Sequence, residues 1–154
     1  MRGLFYIIIF LMGIFSFNNN GFGQMKEVYK WTFTANHIKD NEYELLIKAD
    51  NLNPEWHFWT MDPGNEMLIP TQVKFNVSDD FRMDGDFTVE GATVSTSDEL
   101  FGDVIYYEGD VVFKQKIKAN AGSSVSGSII YQACNATTCL APKEIPFSIS
   151  LNTK

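Results

Sequence analysis

The chain has little of what most catalytic centres are built from. It contains two cysteines and two histidines in 154 residues. His37 and His57 are too few for a histidine-based metal site and stand 20 positions apart in the sequence. A structural zinc site takes four protein ligands, usually in two paired motifs, and no second motif is present. Positive charge is also scarce, with 12 Lys and Arg against 19 Asp and Glu, a formal net charge of −7. Nucleic acid and anionic lipid both require a basic face, so neither is expected as a partner. No stretch shows a helical period of apolar residues. Beyond Phe17 there is no second long apolar run, which leaves no membrane span in the remainder.

What is present begins with an export signal. Arg2 is the only charge before Lys26, and Leu4 to Phe17 is almost wholly apolar. That run is about 14 residues, short of the roughly 20 that span a bilayer. Asn18-Asn19-Asn20 and then Gly21-Phe22-Gly23 follow, with small residues where a signal peptidase reads. Residues 1–23 are therefore expected to be a cleaved signal, and residues 24–154 a single exported domain with no membrane insertion after cleavage. No cysteine lies near the cleavage point, which excludes a lipid anchor on cysteine. Loss of Arg2 takes the net charge from −7 to −8. The compartment is one where disulfides persist.

The remaining chain reads as all-β. Tyr29, Trp31, Phe33 and Ala35 share one parity, and Tyr43, Leu45, Ile47 and Ala49 repeat the pattern. Val73, Phe75 and Val77 follow, then Val111 and Phe113, then Val125, Ile129 and Tyr131, and last Phe147, Ile149 and Leu151. A period of two marks strands with one buried face. Asp40-Asn41, Asn51 to Pro54, Asp62 to Asn65, Asp79-Asp80, Glu108 to Asp110 and Ala121-Gly122 punctuate them. About seven to nine antiparallel strands at this spacing predict an immunoglobulin-like β-sandwich. The Cys-Trp-Cys spacing of antibody domains is missing. Trp56-His57-Phe58-Trp59 could line a binding face but reads better as a buried strand, since aromatics dominate cores.

Cys134 and Cys139 are the chemistry-bearing pair. Val125 to Ala133 reads as one strand and Glu144 to Leu151 as the next, so the segment from Cys134 to Cys139 occupies their connection. Two thiols this close, exported and without other cysteines, form a structural clip, a working dithiol or part of a metal site. A short loop gains little from closure, and a core of this size holds a fold without staples. The metal alternative would recruit His57 or His37, or Met61 and Met67 for copper(I); methionines beside tryptophans are ordinarily core packing. Asn135-Ala136-Thr137 and Asn76-Val77-Ser78 match the glycosylation sequon by chance.

Two blocks carry a family resemblance. Tyr131-Gln132-Ala133-Cys134, a spacer, and Cys139-Leu140-Ala141-Pro142-Lys143-Glu144 resemble the active-site segment of the amino-terminal periplasmic domain of the thiol:disulfide interchange protein DsbD. Asp98-Glu99-Leu100-Phe101-Gly102, followed by Ile105-Tyr106, resembles that family's Asp-Glu-Phe-Tyr-Gly cap segment. The resemblance implies an immunoglobulin-like fold and a periplasmic dithiol shuttle, a protein-disulfide reductase-type electron carrier with no metal or organic cofactor. It implies that Cys134 attacks the partner disulfide and that Cys139 resolves the mixed disulfide or pairs with Cys134 when oxidised. Partners would be thioredoxin-like periplasmic proteins, including disulfide isomerases and cytochrome c maturation factors. Leu100 and Phe101 would shield the cysteines, Asp98 and Glu99 would handle protons or form an ordinary acidic turn, and Tyr131 would pack beside the pair or serve as a core aromatic.

The departures from the family pattern are a spacer of four residues, Leu140 for an aromatic, Ala141 for the first proline, and Leu100 for the leading cap aromatic. No electron donor within the membrane follows Lys154, so a separate membrane donor is expected. The alternative from another class is a non-catalytic exported β-sandwich interaction module with a structural disulfide.

Overall fold

The computed structural model describes residues 27–152. The export signal expected over residues 1–23 lies outside them. Ten strands make up the regular structure, in chain order β1 (Tyr29–Lys39), β2 (Glu42–Asn51), β3 (His57–Trp59), β4 (Gln72–Phe75), β5 (Phe81–Met83), β6 (Thr88–Asp98), β7 (Gly102–Ala119), β8 (Ser124–Tyr131), β9 (Ala133–Cys134) and β10 (Lys143–Ser150). None of the described residues is helical, and among them no helix is long and apolar enough to cross a membrane. The fold is the expected all-β antiparallel sandwich of immunoglobulin-like type.

The longest strand, β7, organises the larger sheet. One of its edges takes β2 and β3 and the other takes β5 and β6. β1 extends the sheet beyond β2, and β9 extends it beyond β3. β10, β8 and β4 form the smaller sheet. The alternation read from the sequence decides which face is buried. Tyr43, Leu45, Ile47 and Ala49 on β2, with Val111, Phe113 and Ile117 on β7, face Val125, Ile129, Phe147 and Ile149 from the smaller sheet. Phe33 stacks on Phe147 at 4.9 Å, and Trp31 contacts Tyr131 at 5.0 Å between ring centroids, which ties β1 to the opposing sheet.

Three differences from the sequence reading have local causes. There are ten strands rather than seven to nine, because β5 and β9 are too short to show a period. Val77 lies beyond the end of β4 and is fully exposed. The expected strand from Val125 to Ala133 is broken at Gln132: β8 ends at Tyr131 in the smaller sheet, and β9 begins at Ala133 in the larger one. The crossing at Gln132 delivers the first cysteine to the larger sheet.

β3 is short but firmly placed. The Tyr29 hydroxyl donates to the Trp56 carbonyl at 2.8 Å. Asn51 Nδ2 donates to the same carbonyl at 3.0 Å and to the Tyr29 oxygen at 3.1 Å. Burial, with smaller contributions from Tyr131, Glu108 and Asp110, pushes the Tyr29 phenol far above its ordinary value and keeps it a proton donor.

Phe113 tests the core, being fully buried and packed against Trp31, Phe87 and Tyr107. Phe113→Ala should lower unfolding stability by about 3–5 kcal/mol in urea titration. A loss under about 1 kcal/mol would mean that the sheets do not pack through this ring.

Candidate functional site

The site grows from the two-residue strand β9. Its partner is β3, with Phe58 opposite Ala133 and His57 opposite Cys134. Adjacent residues of a strand point to opposite faces. Phe58 and Ala133 enter the core between the sheets, so His57 and Cys134 project from the outer face of the larger sheet. β7 continues that row with Tyr106 opposite Trp59 and Glu108 opposite His57. A second, smaller apolar cluster forms here from Trp59, Leu68, Val104 and Cys134, with Phe101 and Tyr106 against it.

The loop between the cysteines is built by Asn135. Its Oδ1 accepts from the Thr137 and Thr138 amides at 3.0 and 2.9 Å and from the Thr137 hydroxyl at 3.1 Å. Its own amide donates to the Thr138 carbonyl at 2.9 Å. This is an Asx-type turn, the reason Asn is favoured in such loops. Leu140 donates its amide to the Ala133 carbonyl at 2.8 Å, and Gln132 Nε2 donates to the Leu140 carbonyl at 3.1 Å. Cys134 and Cys139 thereby face each other as an isolated antiparallel bridge and are joined by a disulfide. Their exposures differ sharply: Cys134 is 1% exposed, while Cys139 is open to solvent.

The segment expected to cap the cysteines is the turn of the β6–β7 hairpin. Asp98 lies opposite Gly102, leaving Glu99, Leu100 and Phe101 as a three-residue loop. Gly102 has φ 71°, a left-handed conformation that closes loops of this length. Asp98 Oδ1 accepts from the Leu100 and Phe101 amides at 2.8 and 3.0 Å. Asp98 therefore shapes the cap, and Glu99 is exposed at its tip. Phe101 turns inward onto the second cluster, whereas Leu100 is 80% exposed. A cleft of ≈ 420 Å³ separates the cap from the disulfide loop, with His57, Trp59, Asp98, Leu100, Phe101 and Cys139 among its walls.

A latch absent from the sequence reading holds the cap. Asn65 Nδ2 donates to the Phe101 carbonyl at 2.6 Å, while Asn65 Oδ1 accepts the Met67 amide at 2.8 Å. Gly64 brings this loop close: with φ +84°, a Cβ there would sit 2.8 Å from the Asp103 carbonyl oxygen. Asp62-Pro63-Gly64-Asn65 was legible as a turn, but its tie to a cap 36 residues later was not.

The remaining candidates separate. Tyr131 faces the core against Tyr29, Trp31 and Phe58, as a core aromatic and not a wall of the cleft. His37 is at the far hairpin, its Nε2 2.9 Å from the Asp40 carbonyl oxygen. Met61 and Met67 are exposed. Among the described residues no group of three or more His, Cys, Asp or Glu is placed to hold a metal ion. His57, which nothing in the sequence put near the cysteines, lines their cleft. Its ring stacks on Tyr106 at 4.0 Å and meets Trp59 edge-on at 5.4 Å. Burial lowers its pKa below the ordinary 6.5, partly opposed by Glu108.

Fold and site together define an immunoglobulin-like sandwich with a disulfide across a cleft from the β6–β7 hairpin turn. The chain belongs to the family described as thiol:disulfide interchange protein DsbD, N-terminal, whose model matches residues 26–150. Among solved structures it is similar to the Neisseria meningitidis DsbD N-terminal domain in the reduced form, with 16% identity over 82% of this chain and 87% of that one, at a TM-score of 0.53. It is also similar to the N-terminal periplasmic domain of ScsB from Proteus mirabilis, with 14% identity and a TM-score of 0.51 over 79% of this chain. The chain spans 44% of that second structure. No curated protein matches.

Asn65→Ala should unlatch the cap without disturbing the core. In a Cys139→Ser background, alkylation of Cys134 by iodoacetamide should then accelerate several-fold, roughly the effect of losing a hydrogen bond of about 1 kcal/mol. An unchanged rate with unchanged thermal stability would mean that the latch does not govern access.

Proposed function

We propose that the domain is a periplasmic electron carrier that shuttles two electrons through Cys134 and Cys139 to thioredoxin-like partners. The observation that carries this is the asymmetry of the pair: Cys139 is exposed at the rim of a cleft, and Cys134 is buried in the cluster that Phe101 packs against. Residues 1–23 serve as the cleaved export signal and residues 24–154 as the working domain. A separate membrane protein supplies the electrons.

The difference in exposure supports an order of attack opposite to the one that the family resemblance implies. A thiolate of the donor attacks Cys139 Sγ, which belongs to the exposed residue of the two. The donor–Cys139 bond forms, the Cys134–Cys139 bond breaks, and Cys134 leaves with the electron pair and takes up a proton. The donor's second thiolate then displaces Cys139, which completes a two-electron, two-proton transfer. In the second half, Cys139 attacks the acceptor's disulfide, and Cys134 resolves the mixed disulfide by re-forming the bond to Cys139. Cys139 meets partners, and Cys134 resolves.

Phe101 closes the second cluster over Cys134, and the exposed Leu100 offers an apolar contact to a docking partner. Asp98 acts through cap geometry: its two backbone hydrogen bonds set where Phe101 and Leu100 point. A purely structural clip is the weaker account. Asn135 and the Leu140 amide already close the loop with hydrogen bonds, and chain entropy for so short a loop contributes only about 2 kcal/mol.

Single-thiol variants test the order. With a thioredoxin whose resolving cysteine is replaced, Cys134→Ser should accumulate a mixed disulfide through Cys139, and Cys139→Ser should form at least about tenfold less. Ellman's reagent should show the same ranking. Equal or opposite ranking would return the attacking role to Cys134. Failure of both variants to trap would contradict the carrier function.

A further inference from the structure

We propose that His57 is the proton-transfer partner of Cys134, accepting the thiol proton as Cys134 becomes the resolving nucleophile and returning it when Cys134 leaves. This rests on the exchange reading above and assigns a residue that neither cysteine motif nor cap motif contains.

The argument begins with register. His57 on β3 and Cys134 on β9 are directly opposite in an antiparallel pair. Such pairs project to the same face with Cβ atoms about 4.5–5.5 Å apart. Both residues line the cleft beneath the cap. The imidazole is held by Tyr106 below and Trp59 at its edge, so it cannot swing freely into solvent.

The chemistry supplies the need. A thiol buried in apolar surroundings resists ionisation, and Cys134 is buried among Trp59, Leu68 and Val104. Resolution requires its thiolate, and burial opposes its formation. A local base is therefore required, and an imidazole is suited to the task near neutral pH. Other charged or titratable groups on this face are Glu108, opposite His57 on β7, Tyr106 on the same strand, and Asp98 across the cleft. Glu108 is exposed and favours the protonated ring, while burial favours the neutral one, with burial the larger influence. The neutral ring is the form that accepts the Cys134 proton.

The proton balance closes in each direction. In resolution, Cys134 Sγ–H gives its proton to His57 and Cys134 Sγ attacks Cys139 Sγ. The acceptor's thiolate departs with the electron pair, and the imidazolium then releases its proton to solvent through the cleft. In reduction by the donor, Cys134 departs as thiolate, the neutral ring takes up a proton from solvent through the cleft, and the imidazolium so formed passes it to the Cys134 thiolate.

The test requires no partner. In a Cys139→Ser background, thiolate absorbance at about 240 nm reports ionisation of Cys134 against pH. His57→Phe keeps the ring stack, and His57→Gln keeps a polar group if the first fails to fold. Each should raise the Cys134 midpoint by about one pH unit or more. In the two-cysteine protein the same changes should slow resolution of a preformed Cys139 mixed disulfide about 10- to 100-fold at pH 7, the deficit closing as pH rises past the thiol's own midpoint. An unchanged midpoint and rate in a folded variant would overturn the assignment of His57. A shifted midpoint in a protein that exchanges with no thioredoxin-like partner would instead overturn the carrier function and leave the His57–Cys134 coupling standing.

Discussion

The site depends on the two-residue period of the β3–β9 pair. Phe58 and Ala133 point into the core between the sheets, which forces His57 and Cys134 to the opposite face. The core thus fixes the reactive group indirectly. Phe58 packs against Tyr29, Trp31, Tyr107 and Tyr131, and any slip of β3 by one residue would exchange the faces and bury the histidine in the core. The hydrogen bonds from Tyr29 and Asn51 to the Trp56 carbonyl hold the strand in register. A rigid scaffold positions a small site on its rim.

The second dependence is on the crossing at Gln132. Had β8 continued, Cys134 would have remained in the smaller sheet, away from β3 and β7. Gln132 leaves the smaller sheet and anchors the far side of the loop through the Leu140 carbonyl. The β6–β7 turn then lines the cleft from a third direction, with Asp98 shaping it and Asn65 holding it. Three segments far apart in sequence meet at one sulfur.

Much of this was legible in the residues themselves. The alternation at Tyr43 to Ala49 and at Phe147 to Leu151 marked buried faces that the structure contains, because a strand with one face in a core leaves a period of two. The cysteine segment and the cap segment were recognisable because their chemistry is local. The illegible parts are long-range. Nothing around His57 tells which strand will lie beside it, and nothing around Asn65 points to Phe101. The break at Gln132 was hidden because Val125 to Ala133 keeps its apolar character through the change of sheet. The difference in exposure between the two cysteines was hidden for the same reason: burial of Cys134 comes from Trp59, Leu68 and Val104, which the sequence places far away.

The measurement that bears most directly on the central claim is the equilibrium reduction potential of the Cys134–Cys139 pair against a glutathione or dithiothreitol series, with Cys134→Ser as the control. A working carrier between a membrane donor and thioredoxin-like acceptors should give a reversible value between about −180 and −270 mV, the span of thiol exchangers. A value below about −300 mV, with slow reduction, would belong to a structural disulfide and would contradict the account.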